Sequence, residues 1–308
     1  MLSLFRADAR ALVPAGDLPE RGWAHLSAPS DAEIELLRAR GVPETLVTHA
    51  LDIDEVSRID REDDVTLVVV RVPRRRDADP DLPYRSESLG ILLSGGLVVT
   101  CSRSAETDLF DGVAALQGID PARPLALVLR LVMYAAERFL THVRSIDAIV
   151  NGLEGKLRAS LSNAEVLDLL KYQKGLVHFT TALGSNRIML ERLAKDSHVT
   201  IGDDDRELLE DALVEVHQAI DMAGMSADIL SQTMDAFASI ISNNLNVVMK
   251  VLTSATLVLT APMLIATLYG MNVGLPGQSH PLAFAGILLA SSFVALAVSL
   301  WFWRRHWL

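Results

Sequence analysis

The chain has 308 residues, 50% of them hydrophobic, and it carries 39 Asp and Glu against 28 Lys and Arg, for a formal net charge of −11. This acidity excludes a nucleic-acid-binding protein, which needs a basic footprint, and the single cysteine excludes a secreted disulfide scaffold. The mean hydropathy of +0.28 is high for so acidic a chain. It indicates that acidic and apolar residues occupy separate regions.

Residues 1–120 alternate short apolar runs with turns, which predicts a cytoplasmic α/β domain. Ser30 is placed to cap a helix that runs through Arg40, and Pro43 is placed to start another that ends near Leu51. Four apolar runs predict strands, the last two joined as a hairpin: 23–26, 65–72, 86–93 and 97–101.

From residue 121 onward the strand signals stop and three long helical patterns follow, at about 123–160, about 163–195 and from 204 onward. A capping-box pattern at Ser162 and Glu165 marks the second start. Residues 121–203 are therefore predicted to form a helical hairpin. The third pattern continues into the apolar tail, and at 1.5 Å per residue a helix over 204–271 would be roughly 100 Å long. This predicts a stalk helix whose cytoplasmic part is 204–250.

The tail forms a predicted membrane hairpin. No Asp, Glu, Lys or Arg occurs at 251–303, whereas residues 1–250 contain all 39 acids and 26 of the basic residues. The spans 251–271 and 282–303 match the roughly 20 apolar residues that cross a bilayer, and the turn-rich loop 272–281 joins them. On the side away from this loop, Lys250 precedes the first span and the basic tail 304–308 follows the second. The positive-inside rule therefore predicts an inner-membrane protein with both termini in the cytoplasm.

A polar stripe follows the first span at alternating steps of four and three residues, the spacing of a coiled-coil seam. Threonines in membrane helices often bond the carbonyl four residues back or pack against another helix, so the spacing alone leaves two readings open. The stripe stays polar outside the membrane, which favours a water-filled conduit whose oxygen atoms suit hydrated Mg²⁺. Its members are Asp235, Ser239, Ser242, Asn246, Met249, Thr253, Thr256, Thr260, Met263 and Thr267.

The stripe ends at Tyr269, Gly270, Met271 and Asn272. With the segment 246–253 that opens the span, Pro262 midway along it and the basic tail, this Gly-Met-Asn triplet makes the chain resemble the CorA family of divalent-cation transporters. The likeness extends to Trp23 and to segment 51–58. It implies a homopentameric funnel. Each subunit would contribute an α/β domain and a stalk helix that lines the pore, and the second spans of the five subunits would form an outer ring.

The resemblance also implies roles for individual residues. Gly270, Met271 and Asn272 would form the periplasmic mouth, where amide oxygens bind the water shell of the ion. Met249 and Leu252 would form an apolar constriction, with the pore-lining Asp235 as a carboxylate ring beneath it. A basic collar would consist of Lys250, Arg304 and Arg305, although anchoring by the positive-inside rule explains these residues equally well.

In the family, intracellular Mg²⁺ bridges acidic residues of neighbouring subunits and closes the pore. Asp211 matches one such position, Glu215 lies one turn later, and Asp52 is the candidate in the α/β domain. Thr48 and His49 stand where acids would be expected, which is a departure from the family pattern.

The resemblance implies channel-like influx of Mg²⁺, with Co²⁺ and Ni²⁺ as further ions, driven by the membrane potential. Mg²⁺ is then substrate and candidate regulator, and the partners are further copies of the chain and the bilayer. No ATP-binding motif or set of catalytic residues is present, so we expect neither an enzyme nor a catalytic cofactor. Two alternatives stay open. One is a ZntB-like Zn²⁺ transporter, with or without proton coupling, which His280 in the loop leaves open. The other is a membrane-anchored sensor that transports nothing.

Overall fold

The computed structural model of the chain describes residues 2–8, 11–76, 79, 81–104, 123–160, 163–196, 201–277, 280–305 and 307. The chain divides into two compact units, Met1–Gln232 and Thr233–Leu308. The strands in the described residues are β1 (Leu2–Asp8), β2 (Ala11–Pro14), β3 (Gly22–Ser27), β4 (Arg58–Glu62), β5 (Val65–Arg75), β6 (Tyr84–Ser94) and β7 (Leu97–Ser102). The helices are α1 (Asp31–Arg38), α2 (Glu44–Ala50), α3 (Pro124–Ser160), α4 (Asn163–Leu193), α5 (Asp203–Tyr269) and α6 (Ala283–Arg304).

The strands form one sheet in the order β2-β1-β3-β7-β6-β5-β4. Only the pairing of β3 with β7 is parallel, with Trp23 opposite Val98, and the other neighbours are antiparallel. The central strands are buried on both sides, because their Val- and Leu-rich runs lie between two layers of helices. The first unit is therefore a mixed α/β layered structure, as the sequence predicts.

Helices α1 and α2 contribute to the core on one face of the sheet, where Leu37 and Leu46 are buried among strand residues. The amide of Ser30 donates to the carboxylate of Glu33 at 2.8 Å, which confirms the predicted cap of α1. Gly90 allows the close packing of α2 on β6, because a Cβ at this position would lie 2.3 Å from the Cβ of Ala50.

Helices α3 and α4 are linked to the sheet through an aromatic cluster around Tyr84. Its ring meets Phe179 edge-on at 6.1 Å, and Phe179 meets Phe139 in the same way at 5.0 Å. Tyr84 also approaches Gly175 of α4, where an added Cβ would lie 3.0 Å from the Tyr84 Cβ. These contacts fix both helices against β5 and β6.

Four strands and the long helices confirm their predictions to within a few residues, whereas β1, β2 and β4 were missed. β4 has the sequence RIDRE, with one apolar residue, and its pairing with β5 defines it better than its own pattern does. Helix α5, which contains the first apolar span, ends at Tyr269. Ser162 of the predicted capping box lies outside the described residues.

The second unit contains the C-terminal part of α5 and the whole of α6. Both helices are long and apolar enough to cross a membrane by length and composition. Most of their side chains are exposed in the single chain, including Leu259 and Phe284 at 72% and 78%. Because such surface is unfavourable in water, these segments require lipid or other helices around them.

Candidate functional site

Every residue of the polar stripe is exposed in the single chain. This holds for Asp235 and Asn246 before the apolar span and for the threonines within it. The structure therefore leaves the whole stripe on the free surface of one helix, available to water, lipid or further copies. The exposed pore candidates are Asp235, Asn246, Met249, Leu252, Thr253, Thr256, Thr260, Met263 and Thr267.

Three threonines of the stripe donate their hydroxyl protons to α5 itself. Thr256 donates to the Leu252 carbonyl at 2.8 Å and Thr260 donates to the Thr256 carbonyl at 2.7 Å. Thr267 bonds the Met263 carbonyl in the same way. The back-bonding pattern is thus confirmed for these residues, and each hydroxyl oxygen keeps lone pairs that can accept a further hydrogen bond.

An apolar band precedes the threonines. Met249 is 57% exposed and Leu252 is 59% exposed, and Leu245 and Val248 beside them are similarly uncovered. Pro262 lies further along α5, where it lacks the amide hydrogen that would bond the carbonyl four residues back.

The Gly-Met-Asn triplet forms the turn in which α5 ends. The amide of Gly270 donates to the Ala266 carbonyl at 3.0 Å, and the next residues leave the helix. The hydroxyl of Tyr269 donates to the Pro276 carbonyl at 3.3 Å and fastens the following loop. Asn272 is exposed in this turn, and a Cβ on Gly270 would make only ordinary contacts within one chain.

His280 lies in the loop between α5 and α6. Its Nδ1 accepts a hydrogen bond from the Leu282 amide at 3.2 Å, so this nitrogen takes part in the turn before α6. Among the described residues, no group of three or more His, Cys, Asp or Glu side chains is arranged to hold a metal ion. Lys250, Arg304 and Arg305 are all exposed.

The acids considered for regulation lie in the first unit. Asp211 is exposed on α5, and Glu215 is half-buried one turn later. Asp52 is exposed beyond α2, beside a groove of about 640 Å³ that Thr48 and His49 also line. The structure thus places Asp52 with the two residues that depart from the family pattern.

Arg71 is a residue that the sequence reasoning missed, and it holds the segment that carries Asp52. Its Nη1 donates to the carbonyls of Ile53 at 2.7 Å and Glu55 at 3.1 Å. The segment is therefore fastened through its backbone, which leaves the Asp52 carboxylate exposed. A single arginine within the apolar run of β5 is the signal that could have revealed this contact.

Comparison with known proteins gives three findings. The sequence model of the family described as "CorA-like Mg2+ transporter protein" matches residues 21–305. The chain is 26% identical over 294 residues to the cobalt/magnesium transport protein CorA of Methanocaldococcus jannaschii, covering 92% of this chain and 90% of that protein. The complete structure of the CorA magnesium transporter from that organism matches with a TM-score of 0.85 at 22% identity, covering 100% and 98% of the two chains.

A further structure, the ZntB cytoplasmic domain from Vibrio parahaemolyticus, matches with a TM-score of 0.59 at 14% identity, covering 80% of this chain and 97% of that one. At these identities the structural matches show a shared fold. The family match spans nearly the whole sequence and includes both apolar helices. The chain belongs to the CorA-like Mg²⁺ transporter protein family.

Proposed function

We propose that this chain assembles as a homopentameric funnel in the inner membrane and conducts Mg²⁺ and related divalent cations into the cytoplasm. The observation that carries the proposal is the exposed polar stripe of α5, which crosses a span without charged residues. A helix that only anchors a sensor has no need of such a stripe. The M. jannaschii relative named as a cobalt/magnesium transport protein supports the choice of ion.

The turn at Asn272 would capture the hydrated ion. Mg²⁺ gives up its inner water reluctantly, so a ring of amide oxygens that bonds those waters suits it better than a cage of direct ligands. The hydrogen bond from Tyr269 to Pro276 limits the freedom of the loop that follows. Gly270 and Met271 bring the chain from the helix end to this ring.

Below the mouth, the threonine oxygens of Thr256, Thr260 and Thr267 would accept hydrogen bonds from the water shell. Met249 and Leu252 would form a constriction that closes by dewetting. Beneath this constriction, Asp235 would attract the cation. Lys250 and the arginines at the end of α6 would form a basic collar at the cytoplasmic mouth.

The membrane potential provides the driving force. Moving one charge through 100 mV is worth about 2.3 kcal/mol, so a divalent ion gains about 4.6 kcal/mol, which supports a concentration ratio of roughly a thousand. The sequence contains no Walker-type nucleotide loop, which agrees with downhill transport.

Regulation would use acids from two subunits. Asp211, Glu215 and Asp52 are not part of any metal-binding group of three within the described residues of one chain. A site completed by a second copy would explain why Asp211 and Asp52 are exposed in one chain. Internal Mg²⁺ bound there would hold the funnel closed.

The proposal is tested by uptake into liposomes that contain a Mg²⁺-sensitive dye and an imposed inside-negative potential. We expect uptake by the wild type and a loss of at least ten-fold in Asn272→Ala. Asn151→Ala, which removes an exposed amide from α3, is the matched control and should transport normally. Absence of potential-dependent uptake by the wild type would refute the channel.

Two further measurements separate the alternatives. Zn²⁺ uptake measured with and without a pH gradient tests the ZntB-like alternative, which predicts faster Zn²⁺ transport that responds to the gradient. The mass of the complex in detergent tests the assembly, because any stoichiometry other than five subunits is incompatible with the funnel.

A further inference from the structure

Helix α6 is apolar around its whole circumference. Large apolar side chains at many positions are exposed in the single chain, among them Leu288, Leu289, Phe293 and Leu296. Its only polar residues before Arg304 are three serines. A helix of this composition has no face that could line water, so its surroundings must be lipid and other apolar helices.

The end of α6 is closed by a backbone and aromatic cap. The amide of Trp307 donates to the Phe302 carbonyl at 3.1 Å, five residues back, and the two rings stack at 5.6 Å and 26°. Trp301 meets the other side of this cluster, with its ring 5.0 Å from that of Phe302. The hydrogen bond and the ring contact tie Trp307 back to the last turn of α6.

The sequence around the two arginines contains no Asp or Glu. Both are exposed, and residues 236–308 contain no Asp or Glu. The only acid of the unit is Asp235, which precedes Lys250 by about 22 Å of helix. No Asp or Glu side chain near them in sequence neutralises Arg304 and Arg305, so an anion of the surroundings can do so.

We propose that Arg304 and Arg305 bind the phosphate headgroup of an anionic phospholipid at the end of α6. Guanidinium groups form paired hydrogen bonds with phosphate oxygens, and tryptophan side chains favour the level of the headgroups. Trp303 is 65% exposed and Trp301 is 56% exposed on either side of the capped helix end.

The proposal does not depend on transport and is tested on the purified full chain in detergent. After delipidation, phosphatidylglycerol or phosphatidylcholine is added and the retained lipid is counted by native mass spectrometry. We expect preferential retention of phosphatidylglycerol by the wild type. Arg304→Gln/Arg305→Gln should bind it about thirty-fold more weakly, since each arginine near an anionic surface contributes about a five-fold factor.

Two control variants and a competition with inorganic phosphate decide the outcome. Arg192→Gln/Lys195→Gln removes two exposed charges from the end of α4 and its neighbouring turn and should retain the lipid normally. Arg304→Lys/Arg305→Lys keeps the charge and should retain most of the binding even if the neutral variant folds poorly. Equal retention of both lipids, equal retention by the Gln variant, or complete displacement by millimolar inorganic phosphate would overturn the proposal.

Discussion

The carboxamide of Asn186 pairs with the backbone of Arg71 as a neighbouring strand would. Its Nδ2 donates to the Arg71 carbonyl at 2.8 Å, and its Oδ1 accepts from the Arg71 amide at 2.8 Å. The pairing of β4 with β5 begins at Val69, so Arg71 lies beyond the end of β4. Because Asn186 is 1% exposed, α4 is tied to the open edge of β5 by buried polar contacts.

Replacing Asn186 should therefore destabilise the first unit. Asn186→Leu leaves the amide and carbonyl of Arg71 without these partners, which we expect to cost about 3 kcal/mol. Urea unfolding of the full chain in detergent, followed by circular dichroism, measures the change. His178→Leu, at an exposed position of α4, is the control. Equal midpoints for the two variants would contradict the role given to the pairing.

His25 makes stability depend on pH. Burial lowers its pKa from 6.5 to about 4, and its Nδ1 lies 2.9 Å from the Thr100 hydroxyl. Between these values the unfolded chain binds a proton that the folded chain does not bind, so stability falls as the pH is lowered from 6.5 towards 4. The full loss is about 3 kcal/mol.

Unfolding midpoints at pH 7.5, 6 and 5 measure this loss. His25→Gln cannot take up the proton, so the difference between wild type and variant should shrink as the pH falls. A constant difference across the series would show that His25 does not titrate in this way.

Thr260 tests the lining of the span. Thr260→Val keeps the shape of the side chain but removes its oxygen, so we expect Mg²⁺ uptake to fall by about ten-fold, equivalent to about 1.4 kcal/mol. Thr260→Ser should retain uptake, because serine can form the same bond to the Thr256 carbonyl. Ser292→Ala removes an exposed hydroxyl from α6 and is the control. Normal uptake by the valine variant would place Thr260 away from the pathway.

Asp211 tests the feedback. We expect Asp211→Ala to raise uptake by several-fold at millimolar internal Mg²⁺, because a ligand of the closing ion is lost, and to leave uptake unchanged at low internal Mg²⁺. Glu210→Ala alters the adjacent exposed acid and should behave as wild type. The same uptake in both variants at high internal Mg²⁺ would remove Asp211 from the regulatory site.

The long helices could be predicted because their apolar periodicity extends over many turns, and the break before Asp203 is marked by local sequence. The same is true of β5 and β6, whose buried runs are strongly apolar. The strand β4 could not be predicted because its sequence contains one apolar residue and it is defined by its pairing with β5. The pairing between Arg71 and Asn186 could not be predicted because it joins residues more than a hundred positions apart. For the candidate site, the sequence predicts the polar stripe of α5. It does not predict which carbonyl each threonine hydroxyl bonds, because this depends on the side-chain conformation.

The direction of the threonine hydrogen bonds bears on whether the proposed pore favours cations or anions. The hydroxyls of Thr256 and Thr260 donate hydrogen bonds to carbonyls of α5, so their oxygens can only accept further hydrogen bonds. Chloride needs donors, while the water around a cation supplies donors of its own. In the proposed pore, these threonines would therefore disfavour anions through hydrogen-bond polarity, without any fixed charge in the span.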